Sequence, residues 1–492
     1  MDFLDPKKTR RHNILLYTGY VLIGIAIIIS TLVLLYQASG FGVNSKGQVV
    51  QNGLVFFSSQ PNPADIYLNG KKSKDQTNAR LSLPAGSYAA RLTRTGYRDW
   101  QRTVNVQGGD VQHFDYPFLF PKDLVTKNQA SYATAPGIST QSRDRRWLLV
   151  QQSSTATKFD LYDLKNPKEA AIALTLPASA VRLSTGDQTW EAIQWADDNK
   201  HVLLKHTAGT ESEFILVDRE DATKTENLNQ TLGSNPPELT LIDNKYDKYH
   251  LFNPAAGTLE SASLDNATPV KLLSGVLEYK SYGSKTVLYV TSEGATEGKA
   301  KVMVLIGDKH YSIREVAANT TYLLDMAGYR GAPYVVLGAT SEGMVYVYKD
   351  PVGQLGDESV KIPTAIRAMK IANPNYVSFS PTAQYIVAEG GTQFGVYDIF
   401  LKRAYVYAQT APLDAPQLHA EWMDGNRLTY VSGSKLVVFD YDRRNLQTLM
   451  AANAGAAPYF SSDYKYVYAF APGTTGASAQ LTQTALLTQA DL

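Results

Sequence analysis

The chain has 492 residues, with 47 lysines and arginines against 46 aspartates and glutamates, and no cysteine. That near-neutral balance, with no long basic patch or charged tail, argues against a nucleic-acid partner. The missing thiols exclude disulfides, thiolate metal sites, cysteine nucleophiles and a cysteine-linked lipid anchor.

The length allows two or three domains, and 31 tyrosines, 35 glycines and 22 prolines combine β-formers with turn residues. An all-β protein behind one N-terminal helix is predicted. Four permanent cations, Lys7, Lys8, Arg10 and Arg11, precede residues 14–36, a run of 23 residues without a charge. At 1.5 Å per residue the run reaches roughly 34 Å, enough to cross a hydrocarbon core with modest tilt. The next charge downstream is Lys46. The positive-inside rule therefore predicts a cytoplasmic stub at 1–13, a single span through the lipid bilayer at 14–36, and everything later outside the cell membrane. A cleaved signal peptide is the alternative, because Ala38-Ser39-Gly40 is a passable small-x-small site, although the apolar run is longer than a signal core. Tyr17, Tyr20 and Tyr36 flank the run as interface anchors.

Residues 37–52, "QASGFGVNSKGQVVQN", read as a flexible polar linker. From 53 to 121 short apolar strands alternate with turn residues: Asn69-Gly70, Pro84-Ala85-Gly86, Thr95-Gly96 and Gly108-Gly109. In "SYAARLTR" one face carries Tyr88, Ala90 and Leu92, the pattern of a half-buried strand. Four motifs fall in order: Pro61-Asn62-Pro63-Ala64, Asn69-Gly70, Pro84-Ala85-Gly86-Ser87-Tyr88, and Gly96-Tyr97-Arg98-Asp99-Trp100. With them the segment resembles the PEGA domain, a small β-sandwich of envelope proteins. Asn62-Pro63 departs from the family's Glu-Gly, and proline fixes φ in a turn that must take another shape. The resemblance covers about 70 residues and implies a spacer or envelope-binding module with no catalytic residue, marked here by Pro61, Ala64, Asn69, Gly70 and Gly96. Tyr97 and Trp100 are either sandwich core or an exposed platform for glycan stacking.

Residues 122–492 carry a degenerate repeat. "QSRDRRW" (141–147), "WADDNKH" (195–201), "FSPTAQY" (379–385), "WMDGNRL" (422–428) and "FSSDYKY" (460–466) share a turn-forming middle; four open on an aromatic, and position 6 is Arg, Lys or Gln. Apolar strands follow, and several later strands end on an acid, as in "FDLYD", "FILVD", "FGVYD" and "LVVFD". Units of several short strands, starting near 137, 190, 237, 276, 321, 373, 417 and 457, predict a seven- to eight-bladed β-propeller. The turn consensus resembles TolB/WD40-like propellers. Trp195, Phe379, Trp422 and Phe460 are expected to pack blade against blade.

Chemistry is sparse. The seven histidines have no ligand-like spacing, so neither a metal nor another cofactor is expected. Gly-x-Ser-x-Gly, His-Glu-x-x-His and a phosphate loop are all missing. Ser462-Asp463-Tyr464-Lys465 matches Ser-x-x-Lys but sits in a repeat turn, and Asp440-Tyr441-Asp442 repeats an ordinary strand-ending acid. No catalytic residue is assigned. The expectation is a non-enzymatic, membrane-tethered binding or scaffold protein whose propeller recognises envelope proteins or cell-wall glycan. Its rival is a propeller hydrolase or lyase acting on surface polysaccharide, which requires converging acids in the central channel.

Overall fold

A computed structural model describes residues 6–38, 40–43, 49–415, 418–473 and 478–492. The chain divides into two compact units, Met1–Asp123 with Leu487–Asp491, and Leu124–Leu486.

The first unit begins with helix α1 (Pro6–Ala38). Proline is tolerated in a first helical turn, where its missing N–H has no intrahelical partner to lose. The stretch Arg10–Tyr36 is long and apolar enough to cross a membrane, and none of its most apolar window is buried by the rest of the protein. Leu15 is 72% exposed and Leu34 65%. A helix apolar on every side demands an apolar surround, so this one fits a single-pass anchor or a signal sequence. The helix starts earlier than residue 14, so residues 6–13 of the predicted stub are helical. Arg10 and Arg11 are exposed on it, while the side chains of Lys7 and Lys8 lie outside the described residues.

Eight strands follow: β1 (Phe41–Val43), β2 (Val49–Phe57), β3 (Asp65–Leu68), β4 (Lys71–Gln76), β5 (Ala79–Pro84), β6 (Gly86–Thr93), β7 (Trp100–Val106) and β8 (Val111–Phe114). One sheet runs β1-β2-β5 with β8 parallel to β2; the other runs β4-β3-β6-β7. Val55, Phe57, Leu81 and Phe114 of the first sheet meet Ile66, Ala90, Leu92, Trp100 and Val104 of the second in one core. Ala90 and Leu92 point inward as the alternation requires. The segment read as a linker at 37–52 instead supplies β1 and the start of β2, with Phe41 opposite Gln51; residues 44–48 lie outside the described residues. Its polar residues gave no apolar signal because this pairing is made by backbone bonds. Strand β4, "KKSKDQ", was missed for a related reason. It is an edge strand whose lysines face solvent, the pattern that blunts edge-to-edge association.

Asn69 and Gly70 join β3 to β4 with φ of 49° and 79°, the left-handed pair of a type I′ hairpin. No atom lies within 4 Å of the place a Gly70 methyl would occupy. Gly70→Ala therefore adds conformational strain alone, and is expected to lower the unit's stability by about 1 kcal/mol in denaturant titration. An unchanged midpoint would refute the turn assignment.

The second unit holds, among the described residues, eight four-stranded antiparallel sheets, so the upper of the two predicted blade counts holds. Their first strands are Ser139–Gln141, Gln188–Trp195, Glu238–Leu241, Val276–Tyr282, Tyr322–Tyr329, Tyr376–Phe379, Glu421–Trp422 and Tyr459–Phe460, numbered here as blades 1 to 8. Strand β9 (Thr126–Tyr132) comes before blade 1 in sequence yet forms the outer strand of blade 8, pairing with Ala479–Ala485. Ser139 of blade 1 also hydrogen-bonds the Tyr459 hydroxyl of blade 8 at 2.8 Å. The ring is closed from both ends of the repeat. Second strands such as Tyr385–Gly390 are buried along their whole length, because a neighbouring blade covers each face. The last residues expected in the propeller, Leu487–Asp491, belong to the first unit.

The heptapeptide repeat has a concrete geometry. The position-2 N–H donates to the position-7 carbonyl at Ser142–Trp147, Ala196–His201, Ser380–Tyr385 and Ser461–Tyr466. The fifth residue is left-handed in those four: Arg145, Asn199, Ala383 and Tyr464. The fifth copy closes one residue sooner, Met423 N–H to Arg427 carbonyl, and escapes the left-handed residue. Position 6 then pairs with the acid that ends the third strand. Arg146 meets Asp163 at 2.7 Å, Lys200 meets Asp218 at 3.1 Å, Gln384 meets Asp398 at 3.4 Å and Arg427 approaches Asp440 at 4.0 Å. Two separate sequence features are thus the two halves of one cross-strand contact.

Candidate functional site

First strands of successive blades approach one another, at blades 1–2, 2–3, 4–5 and 5–6, so they form the inner wall of the ring. The hairpin aromatics reinforce it: Trp195 Nε1 donates to Thr140 Oγ1 of the preceding blade at 3.1 Å, and Trp422 Nε1 to Ser378 Oγ at 3.2 Å. Trp195 and Phe460 are buried and Phe379 and Trp422 half-buried.

These inner strands carry five acids, Glu191, Glu238, Glu278, Asp325 and Glu421, each on a different blade. Solvent reaches Glu191, Glu238 and Glu421, yet protein surrounds the wall, and lost hydration raises the pKa of Glu238, Glu278, Asp325 and Glu421. The Glu191 carboxylate pushes Glu238 up further, and Glu238 does the same to Glu278. Three acids on three successive blades therefore feel one another. Lys205 opposes the shift at Glu238 and Arg145 at Glu421. Asp325 accepts the Phe379 N–H at 3.0 Å and lies 3.8 Å from Lys280; Glu278 accepts the Tyr279 N–H at 3.0 Å. The wall can hold cationic or hydroxyl-rich groups by charge and hydrogen bonds. Sequence reasoning missed them because each stands alone on the first strand of a separate blade; the usable signal was an acid in that strand in five of the eight blades.

The histidines are occupied elsewhere. His206 bonds Glu213 at 2.9 Å and stacks on Trp190 with ring centroids 4.3 Å apart. His201 stacks on Tyr246 and bonds Asp198 at 2.6 Å; burial holds His250 at about 4, so it is neutral. Among the described residues no group of three or more His, Asp or Glu could hold a metal ion. Asp463 accepts the Lys465 N–H at 3.1 Å, which makes Ser462–Lys465 a turn, and Asp440 accepts from Asn445 at 2.7 Å.

In the first unit the motif residues come together. Ala64 is buried, its N–H donating to Thr77 Oγ1 at 2.8 Å, and Pro61's carbonyl accepts from Ser59 Oγ at 2.8 Å. Asn69 Oδ1 accepts the Ala89 N–H at 2.8 Å, and Gly96 has φ of 82°. Tyr97 and Trp100 are each 1% exposed. The exposed stacking platform is thereby overturned: both rings lie in the sandwich core, Trp100 beside Phe114 and Tyr116 at 6.2 and 5.9 Å.

Residues 52–119 match the PEGA domain family. No curated protein sequence matches the chain. Solved propellers resemble it at low identity. The Dos1 propeller aligns at 13% identity and a TM-score of 0.45, covering 73% of this chain and 94% of its own. An oligogalacturonate lyase in complex with manganese aligns at 9% and 0.39, covering 75% and 98%. Dihydro-heme d1 dehydrogenase NirN aligns at 13% and 0.40, covering 64% of this chain and 66% of its own.

Proposed function

We propose that the protein is a membrane-tethered, non-enzymatic binding module, held by residues 14–36 with its N-terminus in the cytoplasm and its β-built bulk outside. The observation that supports this reading most is the apolar helix with no part of its window buried, on a chain otherwise built of closed β units. Lys7, Lys8, Arg10 and Arg11 give the orientation. The PEGA domain serves as spacer or envelope-binding module, and the propeller presents its loops and inner wall to an envelope protein or a cell-wall glycan. Tethering confines that surface near the membrane and raises its effective concentration toward such ligands. A second reading, a hydrolase or lyase on surface polysaccharide, is favoured by one observation: Glu238 and Glu278 stand on neighbouring blades with raised pKa.

The test uses the full chain in detergent, incubated with purified sacculi and, separately, with membrane extract. Retention on either, with no soluble sugar released by the parent chain or by Glu238→Gln with Glu278→Gln, is the expected result. Sugar release abolished by that double variant would establish the enzyme reading. Absence of retention on both would end the binding one.

A further inference from the structure

The first unit contains a short segment from the far end of the chain, Leu487–Asp491. It is held by a set of polar contacts on the Gly96-Tyr97 motif. The Tyr97 hydroxyl donates to Asp491 Oδ2 at 2.6 Å and accepts the Thr488 N–H at 2.9 Å. Thr488 Oγ1 donates to the same carboxylate oxygen at 2.9 Å, and the Asp491 N–H returns to the Thr488 carbonyl at 2.9 Å, closing a four-residue turn. Arg94 joins the other carboxylate oxygen. Its second arm donates to the Pro63 carbonyl at 2.7 Å, within the Pro61–Ala64 turn, and its guanidinium lies 5.8 Å from the Tyr97 ring centroid.

Three donors thus converge on one side-chain carboxylate, and charge-assisted bonds of this kind are the strong ones. The fit is close as well as polar: a methyl on Gly96 would stand 3.3 Å from Thr488 Cγ2. Leu487 is 9% exposed.

We propose that the corner of Gly96, Tyr97 and Arg94 is an acceptor site for a peptide turn of the form Thr-x-x-Asp, which this chain fills in cis with its own tail. The tail is a bound peptide ligand of the sandwich. Gln489 and Ala490, the two middle positions, are exposed, so recognition rests on the threonine and the acid.

Hydrogen exchange by mass spectrometry on the full chain in detergent tests this. Asp491→Asn is expected to speed exchange of segments 94–98 and 487–491 by roughly tenfold to a hundredfold, the loss of a charge-assisted contact. Gln489→Ala should leave both unchanged. A chain ending at Leu486 should lose protection at 94–98 and regain it with the peptide LTQADL at millimolar concentration, the range a tethered segment experiences. The same peptide with asparagine for aspartate should fail to restore it. Unchanged exchange in Asp491→Asn, no rescue by LTQADL, or equal rescue by the asparagine peptide would each overturn the assignment. None of these outcomes bears on what the propeller binds.

Discussion

Trp100→Ala is expected to unfold the sandwich while leaving the propeller intact. Trp100 is 1% exposed and packs with Phe114 and Tyr116, and its core also contains Val55, Phe57, Ile66 and Leu92. Removing a buried tryptophan costs about 3–5 kcal/mol, from lost burial and from the cavity left behind. Small domains hold only about 5 kcal/mol or somewhat more in total, so the variant approaches complete unfolding of this unit. Scanning calorimetry of the detergent-solubilised chain should show the sandwich transition move down by roughly 15 °C or more, or vanish. The propeller transition should stay in place. A shift under about 5 °C would mean that the ring is not a core element. Trp100→Phe, which keeps an aromatic in the same space, should recover part of the loss.

The sandwich was legible at its turns, because Asn69-Gly70 and Gly96 occupy left-handed backbone that few other residues tolerate. Its edge strands were not, because "KKSKDQ" faces solvent and "FGV" pairs with its neighbour through the main chain. In the propeller, the hairpin consensus was legible because position 6 and the strand-ending acid form a real contact in four blades. The left-handed fifth position was hidden by its occupants, since Arg145, Ala383 and Tyr464 are not residues that announce positive φ. The inner-wall acids were hidden by topology. Glu191, Glu238 and Glu278 influence one another only after three separate blades are stacked. Tyr97 shows the same limit: its motif was readable, but its partner Asp491 lies at the opposite end of the chain.

Glu389 carries the other large effect. It sits in the fully buried strand Tyr385–Gly390 at 3% exposure, accepting the Ala420 N–H at 2.9 Å. Burial pushes its carboxyl up to about 7 from an ordinary value near 4.5. The folded state therefore holds its proton more tightly than the unfolded chain does. Stability is greatest below pH 4.5, where both states are protonated, and declines as pH rises through 7, where the folded protein must bury a charge. The gap of roughly 2.5 units corresponds to about 3 kcal/mol above pH 7. Glu389→Gln keeps an acceptor for Ala420 N–H and removes the charge. It is expected to stabilise the propeller by about 2–3 kcal/mol at pH 8 and to be nearly neutral at pH 4.5. Urea denaturation of variant and parent at the two pH values reads this as a difference of differences, so that the other raised carboxyls, Glu238, Glu278, Asp325 and Glu421, cancel. Around Glu389 the tyrosines Tyr376, Tyr407 and Tyr430 each feel its charge and are themselves raised. They stay neutral across the window, so they contribute no titration of their own there. A variant equally stabilised at both pH values would locate the effect in packing rather than charge, and one destabilised at pH 8 would show that the buried carboxylate is a required partner. The expected outcome places a proton-sensitive joint between the second strand of blade 6 and the entry to blade 7.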